Sequence, residues 1–528
     1  MSVPAPRSHP DHAPDSHDLG SFGYGQQLRR NVGPFASFAA GFSFVSILTT
    51  VFQLFGLGFS FGGAGFFWTW PTVFAGQLLV ALCFAELAAR YPISGAVFQW
   101  SSRLAGTDVG WFTGWVMVIG QVLTVATAAI ALQAVLPTIW SGFQLVGGSG
   151  ADSSPVSATG AQNAVVLGVL LLVVTTVVNA VGVRLMAVIT SAGVVVEIIG
   201  VAVLVVALFG HAERNPSVVL TSQGAGEGNY LGLWLASSLM AAYVMVGFDS
   251  AGELSEETRA PRATTPRTIL RALVLSGVGG ALLLVGGVVA APSLTDGSLA
   301  GGGLAYVLTA RLGDVGGRLL LVCVAIAVVV CTLAVQTSGS RMVYSMAREK
   351  AFPFADLLGR VSPRTGTPIG AAVLVGLGAA IALAVNWDQS AVFTALASLC
   401  IAMLYLAYLG VTLPLLVRRL RGELPTGGTD EFGKPLFSLG RWGVPVNVLA
   451  VVYQTVMVVN LAWPRASVYD LTDGTWWLQY SALLFIAATL VVGALVHRRN
   501  RSRHGGKIVL GQLLVSAPQR TTPVEEPA

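Results

Sequence analysis

The chain has 528 residues, of which 54% are hydrophobic and only 10% are charged. Soluble globular proteins carry about 25% charged residues, so this composition excludes an ordinary soluble protein. The net charge of +5 comes from short basic clusters between apolar stretches, which is typical of membrane topology signals and implies no nucleic-acid partner. One polytopic membrane domain explains the chain better than several soluble domains.

Both ends of the chain are polar. Residues 1–30 are rich in Ser, Pro, Asp and His and lack the apolar core of a cleaved signal peptide, so we expect a disordered cytoplasmic tail there. We expect a cytoplasmic carboxyl-terminal tail over 499–528. The four cysteines lie in apolar stretches, and the six histidines lie in tails or at the ends of such stretches. We therefore expect no metal site and no cofactor.

Between the tails, residues 31–500 are predicted to form an all-α, multi-pass domain in the cell membrane. A membrane-crossing helix needs about 20 mostly apolar residues. Twelve such stretches, called spans 1 to 12, lie at about 34–58, 66–89, 111–139, 162–182, 185–209, 231–253, 267–291, 318–345, 367–386, 391–416, 442–463 and 475–496. With both termini in the cytoplasm, only four of the 30 Lys and Arg residues fall outside: Arg214, Arg311, Arg318 and Arg465.

The first ten spans divide into two sets of five, over 31–210 and 228–420, and spans 11 and 12 follow over 440–498. The opening span of each set is interrupted by small and polar residues, at 41–50 in span 1 and at 243–252 in span 6. Corresponding interruptions in two halves of a membrane protein are typical of transporters whose discontinuous helices hold the substrate. We predict that the two interruptions face each other near mid-membrane, with a cavity between them.

Glu197 is the acidic residue that lies deepest in a predicted span. It follows the start of span 5 by about 12 residues, which at helical rise is near the bilayer centre. A charge there costs about 3 kcal/mol on insertion scales, so the residue is a candidate for binding a cation, an amine or a proton. The alternative is a protonated acid that bonds to a neighbouring helix. Because no Lys or Arg lies deep in a span, a substrate carboxylate would be bound by backbone N–H groups at the interruption of span 1.

Other polar residues in the spans have weaker signals. Asp249 is either an N-cap of the second half of span 6 or a gating residue, and Glu253 closes the same span. Thr337 and Ser338 in span 8 could help to coordinate a small cation, although hydroxyl bonds between helices are the favoured interpretation. Glu86 is interpreted as a structural residue at the membrane interface. Possible pocket residues are Gln121, Tyr405 and Tyr408.

Three segments carry a resemblance to a known family. Residues 85–100 (AELAARYPISGAVFQW) resemble the loop after the second helix in amino acid permeases of the amino acid–polyamine–organocation superfamily. Residues 246–258 (VGFDSAGELSEET) are similar to the sixth helix and its exit loop, and residues 340–353 (SRMVYSMAREKAFP) to the motif after the eighth helix. Residues 42–49 (FSFVSILT) resemble the amino acid/choline branch, which includes permeases for choline and 4-aminobutyrate.

The resemblance implies a leucine-transporter-like fold of five-plus-five inverted repeats, with discontinuous helices 1 and 6 and alternating access around a central site. It also implies that residues at the interruptions touch the substrate, with Tyr243 as an aromatic gate. We further predict that Tyr243 and Phe248 form an aromatic wall of the pocket, which would attract a substrate ammonium through a cation–π contact. The predicted substrate-binding residues are Ser43, Ser46, Thr49, Thr50, Tyr243, Gly247 and Phe248. The predicted gating and coupling residues are Glu197, Asp249, Glu253, Thr337 and Ser338.

The expected function is secondary transport of an amino acid or a related amine such as 4-aminobutyrate, choline or a polyamine, driven by H⁺ or Na⁺ or by exchange. The alternative is a nutrient sensor with the same fold that binds without transporting. An enzyme is not expected, because the sequence offers no nucleotide-binding loop and its histidine-free spans leave little from which to build a catalytic constellation.

Overall fold

The computed structural model of the protein describes residues 19, 22, 24–154, 157–295, 297–387, 392–424, 427–469 and 476–503. Helices dominate this part of the chain, joined by loops and short 3₁₀ turns. In chain order the helices are α1 (Pro34–Val45), α2 (Ile47–Gly62), α3 (Thr69–Arg90), α4 (Ala96–Ala105), α5 (Thr107–Ile139), α6 (Ala158–Val181), α7 (Val183–Gly210), α8 (Tyr230–Val244), α9 (Ser250–Glu253), α10 (Pro261–Ala290), α11 (Ser298–Arg348), α12 (Ala355–Leu358), α13 (Ile369–Ala384), α14 (Val392–Leu420), α15 (Gly443–Ala462), α16 (Ala466–Tyr469) and α17 (Ser481–Arg503).

The helices are built for a lipid environment. Within the described ranges, ten helical stretches are long and apolar enough to cross a membrane, and the first of them, Pro34–Arg90, includes α1, α2 and α3. The apolar α8 is shorter. The outward faces of α6 and α7 expose rows of apolar side chains, among them Val177, Val188, Val195 and Val203. Such rows are favourable against hydrocarbon and unfavourable in water, so the chain is a multi-pass membrane protein.

The interrupted helices lie at the centre of the bundle. Helix α1 packs against α7, α10 and the short α9, whereas α2 packs against α8 and α11. Helix α11 also packs against α5 and α7. Spans 1 and 6 are therefore surrounded by other helices, and the backbone groups freed at their interruptions are kept away from lipid.

Two helical segments occur where the sequence predicts loops. Helix α4 follows span 2 and lies between Gly95 (φ 85°) and Gly106 (φ 89°). The first part of α11 precedes span 8, and its backbone leaves helical geometry at Gly303 and Gly313, both at positive φ. These segments are too short or too interrupted by glycine to produce the 20-residue apolar run by which a span is recognised.

The predicted amino-terminal tail is described only at its end. Residues 24–30 of that range pack against the helical domain, where Leu28 is buried and the Tyr24 hydroxyl donates to Gln99 Oε1 at 3.4 Å. Burial, together with the nearby Glu349 carboxylate, raises the pKa of Tyr24 to about 12, so the hydroxyl stays protonated and keeps its donor role. The folded domain thus begins before the boundary predicted at residue 31. Residues 504–528 of the predicted carboxyl-terminal tail lie outside the described residues.

Candidate functional site

Span 1 is interrupted at Ser46, between α1 and α2. Ser46 has a φ of 33°, in the left-handed region that costs an L-residue about 1–2 kcal/mol. Its hydroxyl offsets part of that cost, because Ser46 Oγ lies 2.8 Å from Thr49 Oγ1 and donates to Glu197 Oε1 at 2.9 Å. The side chain of Ser46 therefore holds the interruption in place.

Glu197 closes this turn from the middle of α7. Its Oε1 atom accepts both the Ser46 hydroxyl and the backbone N–H of Leu48, the latter at 3.2 Å. Leu48 lies in the first turn of α2, where the helix dipole favours an anionic partner. Glu197 is fully buried, and its Oε2 atom has no hydrogen-bond partner among the described residues. One oxygen caps a helix, and the other is buried without a partner among the described residues.

The hydrogen bond from Leu48 to Glu197 changes one expectation about how a substrate carboxylate is bound. The backbone N–H groups at the interruption of span 1 were predicted to bind a substrate carboxylate, but the N–H of Leu48 already donates to Glu197. A carboxylate brought to this point would meet the carboxyl group of Glu197. The interruption of span 1 thus presents a carboxyl group beside this N–H.

Span 6 is interrupted between α8 and α9, at 245–249. Gly247 has a φ of 90°, which glycine adopts without steric cost, and its N–H donates to Tyr408 Oη at 2.9 Å. The Tyr408 hydroxyl in turn donates to the Asp249 carboxylate. Asp249 occupies the N-cap position of α9 but makes no side-chain cap there. The capping interpretation of Asp249 is therefore wrong, and its carboxylate instead ties span 6 to α14.

The two interruptions meet each other. A Cβ atom added to Gly247 would lie 1.7 Å from Cδ1 of Phe44, so the Phe44 ring rests directly on the backbone of the second interruption. This contact agrees with the prediction that the interruptions face one another. We predicted a cavity between the two interruptions, but the Phe44 ring occupies that place in this structure.

A cavity of about 530 Å³ lies on the α2 side of the interruption, and we call it the vestibule. Its walls come from α2, α5 and α11 and include Thr49, Gln53, Ala131, Tyr306 and Val328. Thr49 is the one predicted substrate residue that lines it. Since Thr49 also contacts Ser46 Oγ, the vestibule ends next to the interruption of span 1.

Tyr243 lies one contact away from the vestibule. Its hydroxyl is 2.9 Å from Thr127 Oγ1 on α5, and the vestibule residue Gln53 donates to the backbone oxygen of Thr127 at 2.7 Å. Phe248 lies in different surroundings, with its ring centroid 5.5 Å from Tyr408 and 5.9 Å from Phe84. The two aromatic residues thus do not form the single wall that the sequence suggested.

The other predicted residues near the interruptions are buried. The hydroxyl of Ser43 has no hydrogen-bond partner in the described part of the chain, and Thr50 Oγ1 donates to the backbone oxygen of Ser46 at 2.8 Å. Glu253 is fully buried close to the start of α4, and neither of its carboxylate oxygens has a hydrogen-bond partner among the described residues.

Thr337 and Ser338 join helices. Thr337 Oγ1 donates to Asn179 Oδ1 at 2.8 Å, and Ser338 Oγ accepts from Gln121 Nε2 at 3.0 Å. These contacts connect α11 to α6 and α5. They agree with the structural interpretation of both hydroxyls, and the structure does not bring them into contact with Glu197 or Ser46.

Glu86 is also structural, as interpreted. It accepts from Arg90 at 2.8 Å and from Ser438 at 3.1 Å, and it pairs with Arg419 of α14. This cluster connects α3 to α14 away from the interruptions.

Four charged residues form two buried ion pairs at the opposite end of span 1 from the vestibule. We call them the inner network, after the predicted cytoplasmic position of the chain termini. Arg341 Nη2 lies 3.0 Å from Glu257 Oε1, and both nitrogen atoms Nη1 and Nη2 of Arg348 donate to Glu256 at 2.9 Å. The backbone oxygen of Glu257 accepts the N–H of Val32 at 2.9 Å. The network therefore joins the loop after α9, the end of α11 and the segment before α1.

Removing one partner of a buried ion pair leaves the other charge without compensation, at a cost of about 3–5 kcal/mol. We expect Arg341→Gln to lower the Tm of the purified protein clearly. Arg271→Gln, which changes an exposed arginine of α10, should leave the Tm near the wild-type value. Combining Arg341→Gln with Glu257→Gln should recover part of the loss. A wild-type Tm for Arg341→Gln would contradict the importance of this pair.

Comparison with known proteins gives the family. A model of the family described as amino acid permease matches residues 32–488. The chain belongs to the amino acid permease family. It is 28% identical over 480 residues to the amino-acid permease BAT1 of Arabidopsis thaliana, with 87% of this chain and 89% of that protein covered. A BAT1 homologue of Oryza sativa is 27% identical, with 87% and 89% covered, and a putative amino acid/polyamine transporter of Macrophomina phaseolina is 26% identical, with 81% and 94% covered.

Family membership confirms the superfamily inferred from the three motifs. The relatives of this chain are permeases, so the chain is a membrane transporter and not an enzyme. Several residues that shape this permease were not singled out from the sequence: Phe44, Gln53, Thr127 and Arg341. A signal did exist for Arg341, since a basic residue that ends a polar run in span 8 needs an acidic partner, and the adjacent Glu256 and Glu257 offer two.

Proposed function

We propose that this permease is a secondary active transporter that moves an amino acid or a related amine across the cell membrane by alternating access. The proposal includes twelve membrane crossings, two inverted repeats over 31–210 and 228–420, spans 11 and 12 over 440–498, and cytoplasmic termini. The observation that carries it is the meeting of two interrupted helices, at Phe44 and Gly247, beside the buried Glu197. Two breaks of this kind at one point are the arrangement in which transporters hold a substrate at mid-membrane.

The two ends of span 1 support a conformation that is open to the outside and closed on the inside. The vestibule lies along α2, on the outer side of Ser46, whereas the inner network surrounds the segment before α1. Access from the outside down to Thr49 with closure on the inside is one half of an alternating-access cycle. In the other half, the ion pairs of the inner network would separate and the vestibule would close.

The chemistry around Ser46 favours a substrate or coupling ion with a positive charge. The second oxygen of Glu197 is free of partners in the described residues, as is Gln53 Oε1 in the vestibule wall. Both are acceptors for an ammonium group, and Glu197 is also an acceptor for H⁺ or Na⁺. The substrates we propose are an amino acid, 4-aminobutyrate, choline or a polyamine. The relatives named amino-acid permease and putative amino acid/polyamine transporter support this range.

Uptake into proteoliposomes tests the proposed function. Purified protein is reconstituted and supplied with labelled amino acids, 4-aminobutyrate, choline or putrescine, with and without H⁺ or Na⁺ gradients. We expect accumulation of at least one compound above protein-free vesicles, together with counterflow when the same unlabelled compound is inside. Saturable binding without accumulation or counterflow for any ligand would contradict transport and favour the nutrient sensor.

Tyr243 provides a further test of the site. Tyr243→Ala removes the ring beneath the vestibule and should weaken substrate affinity by roughly tenfold, the scale of a lost aromatic contact. Tyr243→Phe keeps the ring and loses only the bond to Thr127, whose hydroxyl retains the backbone acceptors of Leu123 and Thr124. It should therefore stay close to wild type. Binding and uptake unchanged in a well-folded Tyr243→Ala protein would exclude Tyr243 from the substrate site.

A further inference from the structure

Arginine side chains converge on two adjoining cavities beside the junction of α6 and α7. The larger, of about 560 Å³, is lined by Arg29, Arg184 and Arg364, and the smaller, of about 410 Å³, by Arg29 and Arg360. We call these four residues the basic cradle. None of the described residues that line the two cavities is acidic. Three positive charges around the larger cavity and two around the smaller one repel one another, which makes both cavities favourable places for an anion.

Three separate chain segments are fixed together to form the cradle. The stem of Arg29 crosses Gly366, where an added Cβ would lie 2.8 Å from its Cγ and Cδ atoms, and Arg29 Nη2 donates to the backbone oxygen of Pro363 at 3.1 Å. Thr367 Oγ1 donates to the backbone oxygen of Ala180 at 3.1 Å, which attaches the same loop to the end of α6. The cradle is thus built from the segment before α1, the α6–α7 junction and the loop before α13.

Apolar surface meets the cradle on one side. Val181, Leu185 and Val188 line the larger cavity and are exposed, and they continue the lipid-facing rows of α6 and α7. Helix α7 begins at Val183, and its N-cap residue Gly182 supplies no side-chain cap. The N–H groups of the first turn and the helix dipole therefore add to the positive potential. The basic cradle is therefore cationic at its centre and open to hydrocarbon at its edge.

We propose that the basic cradle binds the phosphate headgroup of an anionic phospholipid in the leaflet on the amino-terminal side, with the acyl chains along the exposed face of α6 and α7. Guanidinium groups bind phosphate oxygens in a bidentate manner, and basic pockets between membrane helices suit such headgroups. A free phosphate would contact the arginines but not the apolar edge. Because a phospholipid would contact both, the apolar edge favours a phospholipid over a free phosphate. This inference goes beyond transport, since the cradle lies apart from Ser46, Glu197 and the vestibule.

Lipid binding to the full-length protein, purified in detergent and delipidated, tests the proposal. Dioleoylphosphatidylglycerol is titrated and binding is followed by native mass spectrometry and by Tm, with dioleoylphosphatidylcholine and glycerol phosphate as the other two arms. We expect phosphatidylglycerol to bind and to raise the Tm, and the other two compounds to have little effect at the same concentration. Removing two arginines with Arg184→Gln and Arg364→Gln should weaken phosphatidylglycerol binding by about tenfold or more.

A matched double variant provides the control. Arg267→Gln and Arg271→Gln remove the same charge from exposed positions at the beginning of α10, and this variant should bind phosphatidylglycerol like the wild type. If the Arg184/Arg364 variant does not fold, the single variant Arg364→Gln, at an exposed loop position, replaces it with a smaller expected loss. Wild-type affinity in the folded cradle variant, or equal loss in the α10 variant, would overturn the proposal. If glycerol phosphate stabilised the protein as much as phosphatidylglycerol does, the cradle would be a site for a soluble phosphate, and the proposal of lipid binding would be overturned.

Discussion

Glu197→Gln is expected to abolish coupled uptake while leaving the protein folded. The amide oxygen of glutamine can still accept from Ser46 and Leu48, so the cap on α2 survives. The change removes the ability to ionise and replaces the unpartnered Oε2 with a donor. A hydrogen bond to a charged group contributes about 1.5–3 kcal/mol, so binding of the substrate amine or the coupling cation should fall by roughly 10- to 100-fold. If the coupling ion is a proton, the pH dependence of uptake should also flatten.

Binding, initial uptake rates at several pH values and Tm measure these effects. Glu227→Gln is the control, because it makes the same chemical change at an exposed loop position and should behave like the wild type. Glu197→Ala should be less stable than Glu197→Gln, since it leaves the buried Ser46 hydroxyl and Leu48 N–H without their partner. If Glu197→Gln showed the uptake rates and pH dependence of the wild type, Glu197 would be only a structural cap of α2.

Gly247→Ala is expected to disrupt the centre of the protein. The added Cβ would overlap the Phe44 ring at 1.7 Å, and alanine at a φ of 90° is strained by about 1–2 kcal/mol even in open space. The two interruptions would have to separate. We expect a lower Tm and a loss of most uptake, measured in proteoliposomes with equal amounts of inserted protein.

Two variants distinguish the clash from a general effect of alanine. Gly232→Ala lies on α8, where an added Cβ meets no atom within 4 Å, and it should be neutral or slightly stabilising. Adding Phe44→Ala to Gly247→Ala removes the clash but not the backbone strain, so it should recover part of the Tm. A wild-type Tm and wild-type uptake for Gly247→Ala would mean that the interruptions do not need this close contact.

Much of the fold follows from hydrophobic length alone. The long apolar runs predict the membrane helices because lipid excludes unpaired backbone groups, and that constraint acts on each helix separately. The interruption of span 1 was located for the same reason, since Ser46 and its polar neighbours weaken a helix locally. Helix α4 and the glycine-rich start of α11 depend instead on contacts with the rest of the bundle, and a local pattern of about ten residues does not reveal them.

The candidate site was predictable in its members but not in its contacts. Glu197 stood out because a carboxyl group in mid-membrane is costly. That it caps α2, and that Tyr408 takes the Asp249 carboxylate, depends on pairs more than 140 residues apart in the chain. Phe44 gave no signal, since a phenylalanine in an apolar span is ordinary, and its ring fits only because Gly247 has no Cβ atom.

The bonds around Val32 have a mechanical consequence. Val32 donates to the backbone oxygen of Glu257 at 2.9 Å and accepts the N–H of Arg259 at 3.0 Å, so two reciprocal hydrogen bonds join the segment before α1 to the loop after α9. Helices α1 and α9, each of which is one half of an interrupted span, are thereby linked at their far ends, in addition to the contact between Phe44 and Gly247. Because contacts join α1 and α9 at two places, a conformational change that displaces α1 is expected to move α9 with it.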